Sequence, residues 1–211
     1  MLIAAPLVAT ALIAAAVLES KPLMPPPMPV IVDVSVAAKA PPALIATMLD
    51  EASAIWRTAG VTFAWQQHTT RLPSRLAIAV GDERGTLVDG ALPIGWIRFL
   101  TPEKPERDIY VSLANARTLL EQYSRLTEAR RVVMMNAQDA LLGRALGRAL
   151  AHELGHYLLG SKAHSARGLM QGKRSTPDLF ETERLHRFDI DAVQRTLIAA
   201  RLEALHTHAL N

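Results

Sequence analysis

Hydrophobic and polar positions along the chain switch between two periods, and each switch marks an element. An uncharged apolar run covers 2–18 and gives way to a proline-rich stretch at 22–29. Past it, VIVDVSV at 30–36 alternates apolar and polar positions and is rich in β-branched residues, which predicts a strand. Residues 41–60 place Leu44, Met48, Leu49, Ala52, Ile55 and Trp56 at helical spacing and end on Gly60, which predicts a helix with a glycine stop. Short apolar runs at 61–65, 75–80, 94–100 and 108–113 predict four more strands. A Gly/Asp-rich loop is expected at 81–93, and TPEKPER is read as the connection between the last two strands. A helix is expected at 115–127. At 137–159 the repeat becomes four: Leu142, Leu146, Leu150, Leu154 and Leu158 form one stripe, and Gly143, Gly147, Ala151 and Gly155 form its neighbour. The leucines predict a core face, and the small residues predict close approach by another backbone. A last helix over 185–205 carries Phe188, Ile190, Val193, Leu197, Ile198 and Leu202. Strand, helix, four strands and then helices predict an α+β domain around a mixed, twisted sheet.

Composition narrows the picture in three ways. Half of the 211 residues are apolar but only 5% are aromatic, so the core must be built mainly from Leu, Ile, Val and Ala. The formal charge of +3 comes without any Lys/Arg run, and aromatic residues do not interleave with basic ones, so nucleic acid is not an expected partner. The absence of cysteine excludes disulfides, thiolate metal ligands and cysteine nucleophiles.

The expected organisation is a signal peptide or N-terminal anchor at 1–20, a proline-rich linker at 21–29, one domain at 30–205 and a tail at 206–211. The run at 2–18 is shorter than the ~20 residues that span a bilayer comfortably. It resembles the apolar part of an export signal, with AAA at 14–16 as a cleavage candidate, although no Lys or Arg precedes it. Export to the periplasm or beyond, or anchoring at a membrane, is therefore expected, with residues 2–18 as the membrane contact.

The chemistry concentrates in AHELGHYLLGSKAHSARGLM, residues 151–170. His152 and His156 are four apart, so a helix puts both imidazoles on one face, one turn apart, where they can share a metal ion. Glu153 sits beside them on a different face, free to act as a general base. Gly160 suits a left-handed helix end, after which the chain returns His164 as a third ligand. Two helical histidines and one from a loop leave a position open, as catalytic zinc requires. A carboxylate further along, Glu181 or Glu183, is the alternative third ligand. Met170 is placed to form a turn beneath the metal or to fill the core.

HELGHYLLGSKAHSARGLM resembles the metzincin zinc peptidases, whose pattern is H-E-x-x-H-x-x-G-x-x-H followed by a methionine turn. Within that group it is similar to uncharacterised bacterial, export-directed metallopeptidase-like proteins, and the likeness extends to EASAIWRTAGVTFAW at 51–65. The resemblance implies a zincin domain with a twisted mixed sheet, a long active-site helix and a C-terminal helix. It implies Zn2+ on His152, His156 and His164, Glu153 as base, Met170 as the turn methionine, and a peptide or protein substrate. The chain departs from the pattern in the loop. Leu159 stands where the glycine falls, and Lys162 stands where the third histidine falls; His164 comes eight residues after His156 instead of six. Some metzincins carry a tyrosine two residues after the methionine; here that residue is Gly172, so no tyrosine is expected to stabilise an oxyanion.

Arg144 and Arg148 share the row of the two helical histidines and read as a solvated or salt-bridged face. Trp96 reads as core, with a cleft wall as the alternative. His68, His186, His206 and His208 read as surface residues. The leading functional expectation is a zinc endopeptidase with an edge strand, 94–100 or 108–113, holding extended substrate. A non-catalytic zincin-type binding domain and a zinc amidase for a non-peptide substrate are the alternatives.

Overall fold

A computed structural model of the chain describes residues 28–36, 39–67, 75–86, 92–125 and 137–209, with side chains described as far as residue 205. The apolar run at 2–18, the prolines up to residue 27, His68, and the side chains of His206 and His208 lie outside the described residues. Among the described residues no helix is long and apolar enough to cross a membrane.

Alternation along β1 (Val30–Val36) sends Val32 and Val34 to a buried face and leaves Ile31 and Ser35 exposed. α1 (Pro42–Arg57) follows and stops where expected. Gly60 takes φ 75°, and the Val61 amide turns back to the Trp56 carbonyl at 3.2 Å. β2 (Phe63–Gln67) then pairs parallel with β1. β3 (Leu76–Gly81) lies parallel on the other side of β1. β4 (Gly95–Thr101) and β5 (Lys104–Ser112) form a hairpin in which β5 pairs parallel with β3 and antiparallel with β4. The sheet order is β2-β1-β3-β5-β4, so β4 is an edge strand and the sheet is mixed. The register aligns Val34, Ile78 and Ile109 across three strands, and all three are buried.

The connection TPEKPER is where the sequence expectation fails. Thr101 pairs with Lys104, and Phe99 pairs with Pro105, so most of this stretch is strand. Two prolines and four charges read as a loop because a central strand needs every amide. Here residues 104–107 extend past β3, whose pairing with β5 starts at Asp108, and the β4 register shifts on either side of Phe99. Pro105 thus loses no ladder partner from β3.

α2 (Leu113–Ser124) is capped by Ser112 Oγ, which accepts the Asn115 amide at 3.1 Å. The long helix α3 (Gln138–Leu159) buries all five of its stripe leucines. Its glycines explain how close α1 comes. A Cβ on Gly143 would stand 2.8 Å from the Leu44 carbonyl oxygen, and one on Gly147 would stand 2.6 Å from that of Met48. Trp56 crosses the same seam and donates its indole N–H to the Ala151 carbonyl at 3.2 Å.

Beyond the site region come α4 (Thr176–Phe180), a 3-10 helix (Thr182–Phe188) and α5 (Ala192–Ala209). The expected single helix over 185–205 is therefore two elements. Phe188 ends the first, and Asp191 starts the second. Its carboxylate accepts the Gln194 amide at 2.8 Å, and the Gln194 side chain accepts the Asp191 amide at 3.4 Å. This is a reciprocal cap. Phe188 and Ile190 are buried ahead of α5, whereas Val193 is 71% exposed and Leu197 is 55% exposed.

Replacing Gly147 by Ala separates propensity from packing. Propensity alone favours the alanine by about 1 kcal/mol. The carbonyl of α1 is backbone and cannot swing aside, so the net effect expected is destabilisation by about 2 kcal/mol. A lower urea midpoint at unchanged slope is the expected result; a raised midpoint would remove the close α1–α3 seam.

Candidate metal centre

α3 presents His152 and His156 one turn apart, and main-chain carbonyls fix both rings. His152 Nδ1 donates to the Leu169 carbonyl at 2.8 Å, and His156 Nδ1 donates to the Ser161 carbonyl at 2.7 Å. A carbonyl only accepts, so each ring keeps its hydrogen on Nδ1 and leaves a lone pair on Nε2. The two Nε2 atoms stand 3.1 Å apart, and His164 Nε2 stands 3.3 Å from that of His152. The ligand atoms of all three histidines lie within 4.8 Å of one another.

Lone pairs facing each other at this distance repel unless a proton or a cation stands between them. Burial pushes the His152 pKa down to about 3 and lowers that of His156, and the neighbouring imidazoles add to the effect. Both rings are therefore neutral near pH 7, and a metal ion is a group that suits their two lone pairs. Nitrogens ~2.05 Å from a tetrahedral ion lie roughly 3.3 Å apart, close to the separations here. The donor set fits a metal.

His164 reaches the cluster by a short, braced path. Gly160 takes φ 60°, ends α3, and receives the tip of the β4–β5 hairpin, since a Cβ there would lie 3.3 Å from the Glu103 carbonyl. Ser161 gives its carbonyl to His156, and its hydroxyl accepts the Ala163 amide at 3.1 Å. Ser165 then donates its amide to the Met170 carbonyl at 2.8 Å and forms a bridge with Gln171. The His164 ring stacks on His152, with centroids 5.2 Å apart. Space for that ring comes from Gly172, where a Cβ would fall 2.9 Å from His164 Cγ.

Met170 is buried against α3. A Cβ on Gly155 would collide with its sulfur, so the last glycine of the α3 stripe serves the methionine and not α1. The turn before it is pinned from behind. The Leu169 amide donates to the Asp189 carbonyl at 2.7 Å. Arg174 donates to the carbonyls of Gly168, Leu169 and Arg187 and lies 3.9 Å over the Phe188 ring. The Leu169 carbonyl that orients His152 is therefore itself held by Arg174.

Glu153 faces the underside of β4. A Cβ on Gly95 would be 3.0 Å from Glu153 Cγ, so a larger residue at 95 would press on it. Burial pushes the Glu153 carboxyl up to about 8, and a hydrogen bond from the Ile97 backbone draws it part of the way back. A cation on the histidines would lower it further.

The other candidates fall elsewhere. Glu181 accepts the Tyr123 hydroxyl at 2.6 Å and pairs with Arg184 at 3.2 Å; Glu183 is exposed on the 3-10 helix, and neither joins the cluster. Arg148 is salt-bridged but not solvated. Its side chain is 1% exposed, bonds Glu51 at 2.7 Å, and donates to the carbonyls of Asp178 and Glu181 at 2.7 and 2.9 Å. Arg144 donates to the Phe180 carbonyl at 2.6 Å. Trp96 is half-buried, stacks on Tyr110 and lines the cleft, so it belongs to the wall and not the core. His186 is exposed, as expected.

A cleft of about 1050 Å³ opens over the histidines, with Ile97, Phe99, Leu179 and Phe188 among its apolar lining. Phe99 meets His156 edge-on at 6.3 Å between centroids. Phe99 and Arg174 went unnoticed in the sequence because neither belongs to a spaced motif. Comparison with known proteins finds no matching family model, no matching curated protein and no matching solved structure.

Valine in place of Gly172 should push the His164 ring off the shared point. Metal affinity is expected to fall about tenfold in a chelator-competition titration while the helical circular dichroism is retained. Unchanged affinity would mean that the ring position does not depend on Gly172.

Proposed function

We propose that the chain is a zinc-dependent endopeptidase of the metzincin kind, with His152, His156 and His164 as ligands and Glu153 as general base. The observation that carries this reading is the pair of Nδ1–H bonds to carbonyls, which turns two neutral Nε2 lone pairs toward one point 3.1 Å across, beside a carboxyl at the floor of a cleft. Three imidazoles without thiolate suit zinc, and three protein ligands suit a catalytic site.

Zinc bound there would supply Lewis acidity to a water and to a substrate carbonyl. Glu153 takes the proton from that water at a carboxylate oxygen and returns it to the leaving amine. The Ile97 backbone hydrogen bond holds the carboxylate in place for both transfers. β4 has one face of its ladder unpaired among the described residues, and an extended peptide added there would pass over the histidines. β5 lies between β3 and β4, so of the two strands named from sequence only β4 suits this role. With Gly172 two residues past the methionine, the oxyanion is left without a tyrosine donor from that position. Residues 2–18, as an export signal or anchor, would place the activity outside the cytoplasm.

Burial of Glu153 favours a second reading, a metal-held binding domain in which a neutral carboxyl is only structural. The two readings part on one substitution. Glu153→Gln should keep one zinc per chain and lower kcat on a peptide library by roughly 10²–10⁴-fold. Equal turnover in the variant would sink the base assignment. A zinc-loaded parent that cleaves nothing would favour the binding domain.

A further inference from the structure

The loop that returns His164 also carries a cation, set over an aromatic ring of β4. Lys162 occupies the place where the metzincin pattern has its third histidine, yet its Nζ lies 5.1 Å over the Phe99 ring. Phe99 belongs to the edge strand β4 and meets His156 edge-on, so the ammonium stands on the cleft wall beside the histidines. Among the described residues Lys162 meets no carboxylate. Contact with the ring restrains the lysine without neutralising it, so less freedom remains to be lost when an anion binds.

The rest of the wall has the same sign. Arg98 follows Ile97 on β4, lies 5.5 Å over the Tyr110 ring, and likewise meets no carboxylate among the described residues. Lys173, Arg174 and Arg148 add basic groups, all three already engaged within the protein. Against these the lining holds two carboxyl groups, Glu106 and the buried Glu153. Apolar walls around the charges reduce screening and strengthen their pull on a bound anion.

We infer that the cleft selects peptides carrying an acidic side chain next to the residue that pairs with Phe99, with Lys162 as the specificity-determining residue. The inference rests on the peptidase reading for its substrate class, and on the position of Lys162 for the charge. It also gives the longer loop a consequence. Two added residues carry the third histidine to position 164 and leave position 162 free to face substrate.

The test is binding to the zinc-loaded full chain carrying Glu153→Gln, which holds peptide without cutting it. Two fluorescent peptides of one length and apolar sequence, differing by Asp or Lys at a scanned position, are compared by anisotropy. At one position the acidic peptide should bind at least about tenfold tighter, and the ratio should shrink as salt rises. Adding Lys162→Glu should bring the ratio to parity or invert it, and Lys162→Gln should bring it near parity; zinc per chain reports that each variant is folded. Equal affinity for both peptides, or a preference that both Lys162 variants leave unchanged, overturns the inference. Acid-selective binding by a chain that cleaves nothing even with Glu153 intact supports the inference and overturns the peptidase reading instead.

Discussion

Two imidazole N–H groups have to be met, and most of the architecture around the cleft follows from how they are met. His152 bonds a carbonyl seventeen residues further along, and His156 bonds one five residues along. The nearer bond requires α3 to stop at once, which Gly160 does by entering the left-handed region. The farther bond requires the chain to come back under the helix as the Gly168–Met170 turn, held by Arg174 and by the Asp189 carbonyl. With both hydrogens spent, the remaining nitrogens are lone pairs that can accept a hydrogen bond or a metal ion.

Such a site needs a rigid helix, and α3 is fixed along its length by different means at each turn. Gly143 and Gly147 let α1 close on its first half, and Trp56 bonds its backbone further on. Arg148 stands one turn before His152 and ties α3 to α1 through Glu51 and to the segment around α4 through two carbonyls. Burying a guanidinium is costly, and its pKa is lowered by that burial, with Glu51 opposing the shift. Removing the arginine would take a donor from the Asp178 and Glu181 carbonyls and from the Glu51 carboxylate, so its contribution lies in joining three elements and not in the ion pair alone. Gly155 closes the sequence by admitting Met170. One stripe of small residues therefore serves two partners, a helix above and a methionine below.

Much of this was legible in the chain, for reasons that differ by element. The α3 leucine stripe and the β1 alternation are local periodicities, and they placed those elements within a residue or two. His152, Glu153, His156 and His164 form a spaced motif on a helix and its exit, and the structure gathers the three histidines. Pro105 misled because strand chemistry was applied to a stretch whose pairing lies on one side only. The break before α5 had a signal, Asp191 with Gln194 three residues on, which a search for caps inside apolar spacing would find. α4 had one too, with Ser175 before Thr176 and Pro177. Arg148, Arg174 and Gly172 act on main chain or on space, and no periodicity encodes those contacts. The expected salt bridge of Arg148 is present but buried, because sequence spacing showed a shared face and not what α1 would bring to it.

The longer loop shows what a spacing rule measures. The interval between the second and third histidines stands for a path that starts at a helix end and finishes beside the first ring. Here both ends of that path are fixed independently of its length. Gly160 and the Ser161 carbonyl fix the start, and the Ser165 amide on the Met170 carbonyl fixes the finish. Three residues lie between these anchors, which set where His164 stands. What the two extra residues change is which side chains the loop can offer to the cleft, and that is where Lys162 lies against Phe99. In this chain the anchors are more informative than the count between them, and departures from the count point to the side chains that line the cleft.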